Sequence, residues 1–139
     1  RVSVEMLLSG PGLERIYEFT CSQNGLDPNS ARRTAASISS TALLGRDPLA
    51  VKTLELFVEI YGAQAGNLAL TSLATGGVFI AGGIAPKILS VLKQGRFIEM
   101  FSDKAPMNEL LHSMPVRVVL NTRSGLLGAV QVASEMANV

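Results

Sequence analysis

The chain has 139 residues, 47% of them hydrophobic and 17% charged, with 12 lysines and arginines against 11 acidic residues and a net charge of +1. That is enough for one good core and too little for two, too apolar for disorder, and without the positive excess that nucleic acid or an anionic membrane as partner would require. No apolar run approaches the ~20 residues of a bilayer span, and the single cysteine, Cys21, excludes an internal disulfide and fits a reducing cytoplasm.

The chain opens Arg1-Val2-Ser3-Val4-Glu5, with no methionine and no signal-peptide layout, and so reads as part of a longer protein. Val2 to Leu8 is short and apolar and ends in Ser9-Gly10-Pro11-Gly12. A helix is expected from Leu13 to about Ser22, striped by Leu13, Ile16, Tyr17 and Phe19 and closed by Asn24-Gly25. Asp27-Pro28-Asn29-Ser30 reads as a turn, with Asn29 or Ser30 capping a small-residue helix that runs to about Leu44. Gly45 stops that helix, and Asp47-Pro48 starts another as N-cap and first helical residue. It runs without a breaker to about Leu73, a rod of roughly 35–40 Å. Gly62 and Gly66, four apart on it, read as a close helix crossing.

Val78 to Ala81 is continuously apolar, the pattern of a central parallel strand. Ala85 to Gln94 is expected to be helical, with Ile84, Ile88, Val91 and Leu92 inward. Two short helices, Arg96 to Asp103 and Met107 to Ser113, follow, and then a strand from Val116 to Leu120 and a closing helix from Leu126 to Met136. Strands alternating with helices make this an α/β layer fold.

The richest segment for chemistry is Thr75-Gly76-Gly77-Val78-Phe79-Ile80-Ala81-Gly82-Gly83-Ile84-Ala85-Pro86. Gly77 and Gly82 have the first spacing of a P-loop, but Gly83-Ile84 stands where Lys-Ser/Thr is required; no Gly-x-Gly-x-x-Gly occurs either. What remains is a strand–Gly–Gly turn. On physics alone a tight structural turn and a nucleotide crevice stand level. The Ser9–Gly12 run reads more readily as punctuation than as a ligand-facing turn. Glu5, taken by its residue type and position, favours an ion pair. Asp27 and Asp47 precede proline and read as turn or cap residues, and Glu55 and Glu59 as a solvated stripe. His112 is placed at a helix end and Cys21 in packing. No convincing acid, base, nucleophile or metal-ligand set emerges.

Three motifs in order, Leu8-Ser9-Gly10-Pro11-Gly12-Leu13, Gly76 to Pro86, and Gly125-Leu126-Leu127-Gly128-Ala129, closely resemble the C-terminal part of bacterial glucokinases. Asp47-Pro48-Leu49-Ala50, Glu55-Leu56-Phe57 and Gly66-Asn67-Leu68-Ala69-Leu70 match as well, so the likeness covers residues 1 to about 129. It implies a hexokinase-type, actin-like fold of two ribonuclease-H-like domains. Residues 1–124 would belong to the large, nucleotide-side domain, and residues 125–139 would form a closing helix that packs on the small one. It implies ATP with Mg2+ and glucose as ligands, with Gly82, Gly83 and Ile84 at the adenosine and Glu5 accepting hydrogen bonds from glucose hydroxyls. That reverses the ion-pair reading of Glu5. The family's N-terminal phosphate loop, its catalytic Asn-Asp pair, the second glycine-rich phosphate hairpin and the Glu-Gly-Gly-His segment do not occur in these residues. The chain by itself is therefore expected to be inactive, to need the N-terminal domain as partner, and to self-associate through its closing helix; a homo-oligomer is expected. A related hexose kinase and a non-catalytic, sugar-responsive regulator are the competing readings.

Overall fold

The computed structural model describes residues 3–27 and 32–137. Its elements are a 3-10 turn at Val4–Met6, then α1 (Gly10–Gln23), α2 (Ala35–Leu43), α3 (Pro48–Thr71), β1 (Val78–Ile80), α4 (Leu89–Leu92), α5 (Arg96–Ser102), α6 (Asn108–Ser113), β2 (Val116–Val118) and α7 (Ser124–Ala137).

The centre is α3. Asp47 caps it, its Oδ1 accepting from the N–H groups of Leu49 at 2.9 Å and Ala50 at 3.2 Å, with Pro48 in the first turn. Cap and proline together fix where the helix begins. Its 24 residues make a rod of about 36 Å, against which α1, α2 and α5 all pack. Its buried positions run from mostly larger residues in the first half, Ala50, Thr53, Leu54, Phe57 and Val58, to only small ones in the second, Gly62, Ala65, Gly66 and Ala69. The large ones fill the core under α1 and α2. The small ones admit α5: a methyl on Gly62 would strike the carbonyl oxygen of Phe97, and one on Gly66 that of Phe101. The close crossing expected of this glycine pair is therefore present, and α5 is the element that crosses. Edge-on contacts Phe57–Tyr61 (5.9 Å between centroids) and Tyr61–Phe97 (5.7 Å) continue the seam.

β1 and β2 pair in parallel, Val78 opposite Val116 and Ile80 opposite Val118, joined by a crossover through α4, α5 and α6. Val78, Ile80, Val116 and Val118 face the core. Phe79, 64% exposed, lies on the other face under the Arg117 guanidinium, 5.7 Å from the ring centre. The parallel pairing expected of Val78 to Ala81 is found, but among the described residues the strand has a neighbour on one side only.

Three expectations need correction. α1 begins at Gly10, not Leu13: Ser9 is its N-cap, with Oγ accepting from Gly12 N–H at 3.0 Å, so the Ser9–Gly12 run marks the helix start itself. α2 begins at Ala35 under a Thr34 cap whose hydroxyl accepts from Ser37; Asn29 and Ser30, the expected caps, lie outside the described residues. The helix expected over Ala85 to Gln94 is only Leu89–Leu92. Residues 84–88 instead make turns in which Ile84 C=O accepts from both Lys87 (2.9 Å) and Ile88 (3.3 Å). Those turns put Ala85 and Ile88 into the core at 1% exposure each, an apolar gain that a regular helix from Ala85 would have to match.

Cys21 is fully buried, and His112 is exposed in the last turn of α6, as expected. Glu55 is exposed, while Glu59 takes an ion pair from Arg96 Nε at 2.8 Å. No described helix is long and apolar enough to cross a membrane.

Candidate functional site

The Gly82-Gly83-Ile84 turn leaves β1 with Gly82 at φ +113°, a conformation L side chains rarely adopt. The N–H groups of Gly82, Gly83, Ile84 and Ala85 donate to no backbone carbonyl among the described residues. Gly83 and Ile84, but not Gly82, form one wall of a cleft of about 350 Å³, lined also by Gly10, Leu13, Ala35, Ala36, Ser39, Lys87 and Ile88. Three separate segments therefore meet here: the start of α1, the outer face of α2 and the turn after β1.

The α2 wall consists of small residues. Ser39 has turned its hydroxyl back on its own helix, donating to Ala35 C=O at 2.8 Å or Ala36 C=O at 3.1 Å. The cleft therefore presents flat apolar surface with one cation, Lys87, at its edge. Such a lining suits a planar heterocycle held by packing, with backbone amides available for polar contacts. The sequence alone does not single out Ala35, Ala36, Ser39 or Lys87. Only the spacing of small residues at 35, 36 and 39 hints at a face kept clear, and nothing local ties that face to residue 83.

Other side chains hold α2 in place from its N-terminal end. Glu14 of α1 accepts from Ala35 N–H at 2.9 Å. Arg33 Nη1 reaches Asp47 Oδ2 at 2.6 Å, and its guanidinium lies 5.5 Å from the centre of the Tyr17 ring.

Glu5 lies on the far side of the same α1 turn. With Ser3, Met6, Ser9, Pro11 and Arg15 it lines an open depression of about 180 Å³. Ser9 Oγ donates to the Glu5 carbonyl at 2.7 Å, and Arg15 Nη1 donates to Met6 C=O at 3.0 Å. These bonds hold the backbone and leave the carboxylate outward. Among the described residues no ion pair engages Glu5, so the pairing favoured by residue type is not made. The first turn of α1 thus separates two concavities, with Gly10 and Leu13 facing the cleft and Ser9 and Pro11 the depression. Among the described residues no three His, Cys, Asp or Glu side chains converge as a metal site would require.

A parallel βα unit with a glycine turn over an apolar cleft, beside an exposed carboxylate, is an arrangement found at ligand sites of α/β domains. The Glucokinase family model matches residues 1–136, and the chain belongs to that family. It is 42% identical to a glucokinase of Synechocystis sp. over 97% of this chain and 43% of the relative. The figures for a glucokinase of Trichormus variabilis are 39%, 98% and 45%, and for one of Hahella chejuensis 41%, 94% and 40%. Among solved structures, a glucokinase from an Antarctic psychrotroph superposes with a TM-score of 0.78 at 38% identity, covering 86% of this chain and 37% of that one. The chain spans about two-fifths of the length of the curated relatives it matches.

Proposed function

We propose that the whole protein transfers the γ-phosphoryl group of ATP, carried as its magnesium complex, to the 6-hydroxyl of glucose, yielding glucose 6-phosphate. This chain supplies the adenosine-holding turn, Gly82-Gly83-Ile84, and one sugar-binding carboxylate, Glu5. The observation that carries the reading is the pair of concavities on the two sides of the first α1 turn. Phosphoryl transfer is chiefly a matter of holding donor and acceptor side by side in fixed geometry. A nucleoside cleft and a sugar-facing carboxylate on one helix start provide half of that frame.

The fold would be the actin-like, hexokinase type, with residues 1–124 in the large domain and α7 packing on the smaller one. The absence of any buried residue on α7 supports that placement. No residue of this chain is assigned to magnesium, and no acid or base is assigned to the transfer itself. A cytoplasmic location follows from the proposed substrates.

A coupled ATP–glucose assay on the whole protein tests the reading. Glu5→Gln should lower kcat/KM for glucose roughly 10- to 100-fold, the loss of hydrogen bonds to a charged acceptor, and leave the KM for ATP unchanged. Gly83→Val should raise the KM for ATP and spare glucose. No change in either parameter would sink the site assignment. This chain by itself should show no turnover.

A further inference from the structure

The one charged side chain lining the cleft is Lys87. It is exposed, and among the described residues no carboxylate lies within ion-pair distance of it. Several arginines that tie elements of the fold together are engaged: Arg33 with Asp47, Arg96 with Glu59 and Glu99, and Arg15 with a carbonyl. Lys87 instead stands at the mouth of an otherwise uncharged cleft, three residues past Ile84 and tethered to it by its own N–H. A cation there makes no ion pair among the described residues. It does meet one demand that an apolar, nucleoside-shaped cleft cannot: the phosphate chain of a nucleotide carries up to four negative charges out of that cleft.

Resting on the nucleotide reading above, we infer that Lys87 is a nucleotide-binding residue whose ammonium pairs with the phosphate chain and distinguishes a nucleotide from its bare nucleoside. The Ile84–Lys87 turn sets its root against the cleft wall, and the flexible four-carbon stem lets the charge follow the phosphates. Gly83-Ile84 and α2 would then recognise the nucleoside, and Lys87 the charge attached to it.

The test is titration calorimetry of adenosine, AMP and ADP on the whole protein and on its Lys87→Met and Lys87→Arg variants. The methionine keeps most of the stem and removes the charge. It should weaken ADP about 10-fold, leave adenosine within twofold, and flatten the salt dependence of ADP binding. Lys87→Arg should retain ADP binding to within about threefold. In turnover, the methionine variant should raise the KM for ATP and leave the KM for glucose unchanged. Equal losses for adenosine and ADP would reduce Lys87 to a packing residue and overturn the inference, as would no loss for either. If the unmodified protein bound none of the three ligands, the nucleotide reading itself would fall, a result distinct from both.

Discussion

Tyr17 donates its phenolic hydrogen to Asp47 Oδ2 at 2.9 Å, on the same oxygen that takes Arg33, while Oδ1 caps α3. One carboxylate therefore joins α1, the lead-in to α2 and the start of α3. Burial alone would push the Asp47 pKa up. The Tyr17 hydrogen bond, the Ala50 and Leu49 amides and the Arg33 charge together outweigh it and hold the carboxyl below its usual range. Burial, and then Asp47, push the Tyr17 phenol well above its ordinary value, so it remains a donor at any physiological pH.

A depressed native pKa gives stability that is complete above the unfolded value, near 4, and is lost as pH falls through the native one. Urea denaturation of dilute protein between pH 7 and pH 2.5 should show this loss. Asp47→Asn keeps a capping side chain and should weaken that part of the acid dependence. Asp47→Ala also removes the cap and should cost about 1–2 kcal/mol at neutral pH. Equal acid slopes for native protein and Asp47→Asn would contradict the assignment.

The α3–α5 crossing makes an opposite pair of expectations for glycine-to-alanine changes. Gly66→Ala must push Phe101's carbonyl away and should destabilise by about 1–3 kcal/mol or more, despite alanine's better helix propensity. Gly128→Ala in α7 meets nothing within 4 Å and should raise helix stability by up to ~1 kcal/mol. Thermal melts of the two variants should move in opposite directions.

α7 leaves Leu126, Leu127, Val130, Val132 and Met136 more than half exposed. In this chain alone those side chains should drive self-association. Light scattering should show a concentration-dependent rise in mass that Leu127→Asp with Val130→Asp suppresses. A monodisperse monomer at high concentration would refute it.

Gly82 is held at φ +113°, and a methyl group placed on its Cα would meet no other atom within 4 Å. Gly82→Ala should therefore act through backbone strain and not through a clash, costing about 1 kcal/mol or more. It should shift the turn and raise the KM for ATP, with kcat less affected.

Much of this architecture is legible locally. Asp47-Pro48 announces the start of α3, and Gly62 with Gly66 announces a close crossing. Three ordered motifs identify the family. The first depends on a cap and its next residues, the second on two small residues one turn apart on one helix face, and the third on spelling; none required knowing the distant partner. Distance along the chain hid the rest. No local pattern brings Gly10, Ser39 and Gly83 around one cleft, nor sets Arg33 and Tyr17 on one oxygen of Asp47, because packing on α3 creates those contacts. The shortened helix at Leu89–Leu92 has the same cause, since burial of Ala85 and Ile88 outweighs a helical pattern that reads well in isolation. By itself the sequence determined where α3 starts, which family the chain joins and where a glycine turn leaves the first strand. Only the tertiary structure decided what stands opposite that turn, because apolar burial acts across segments that the sequence keeps far apart.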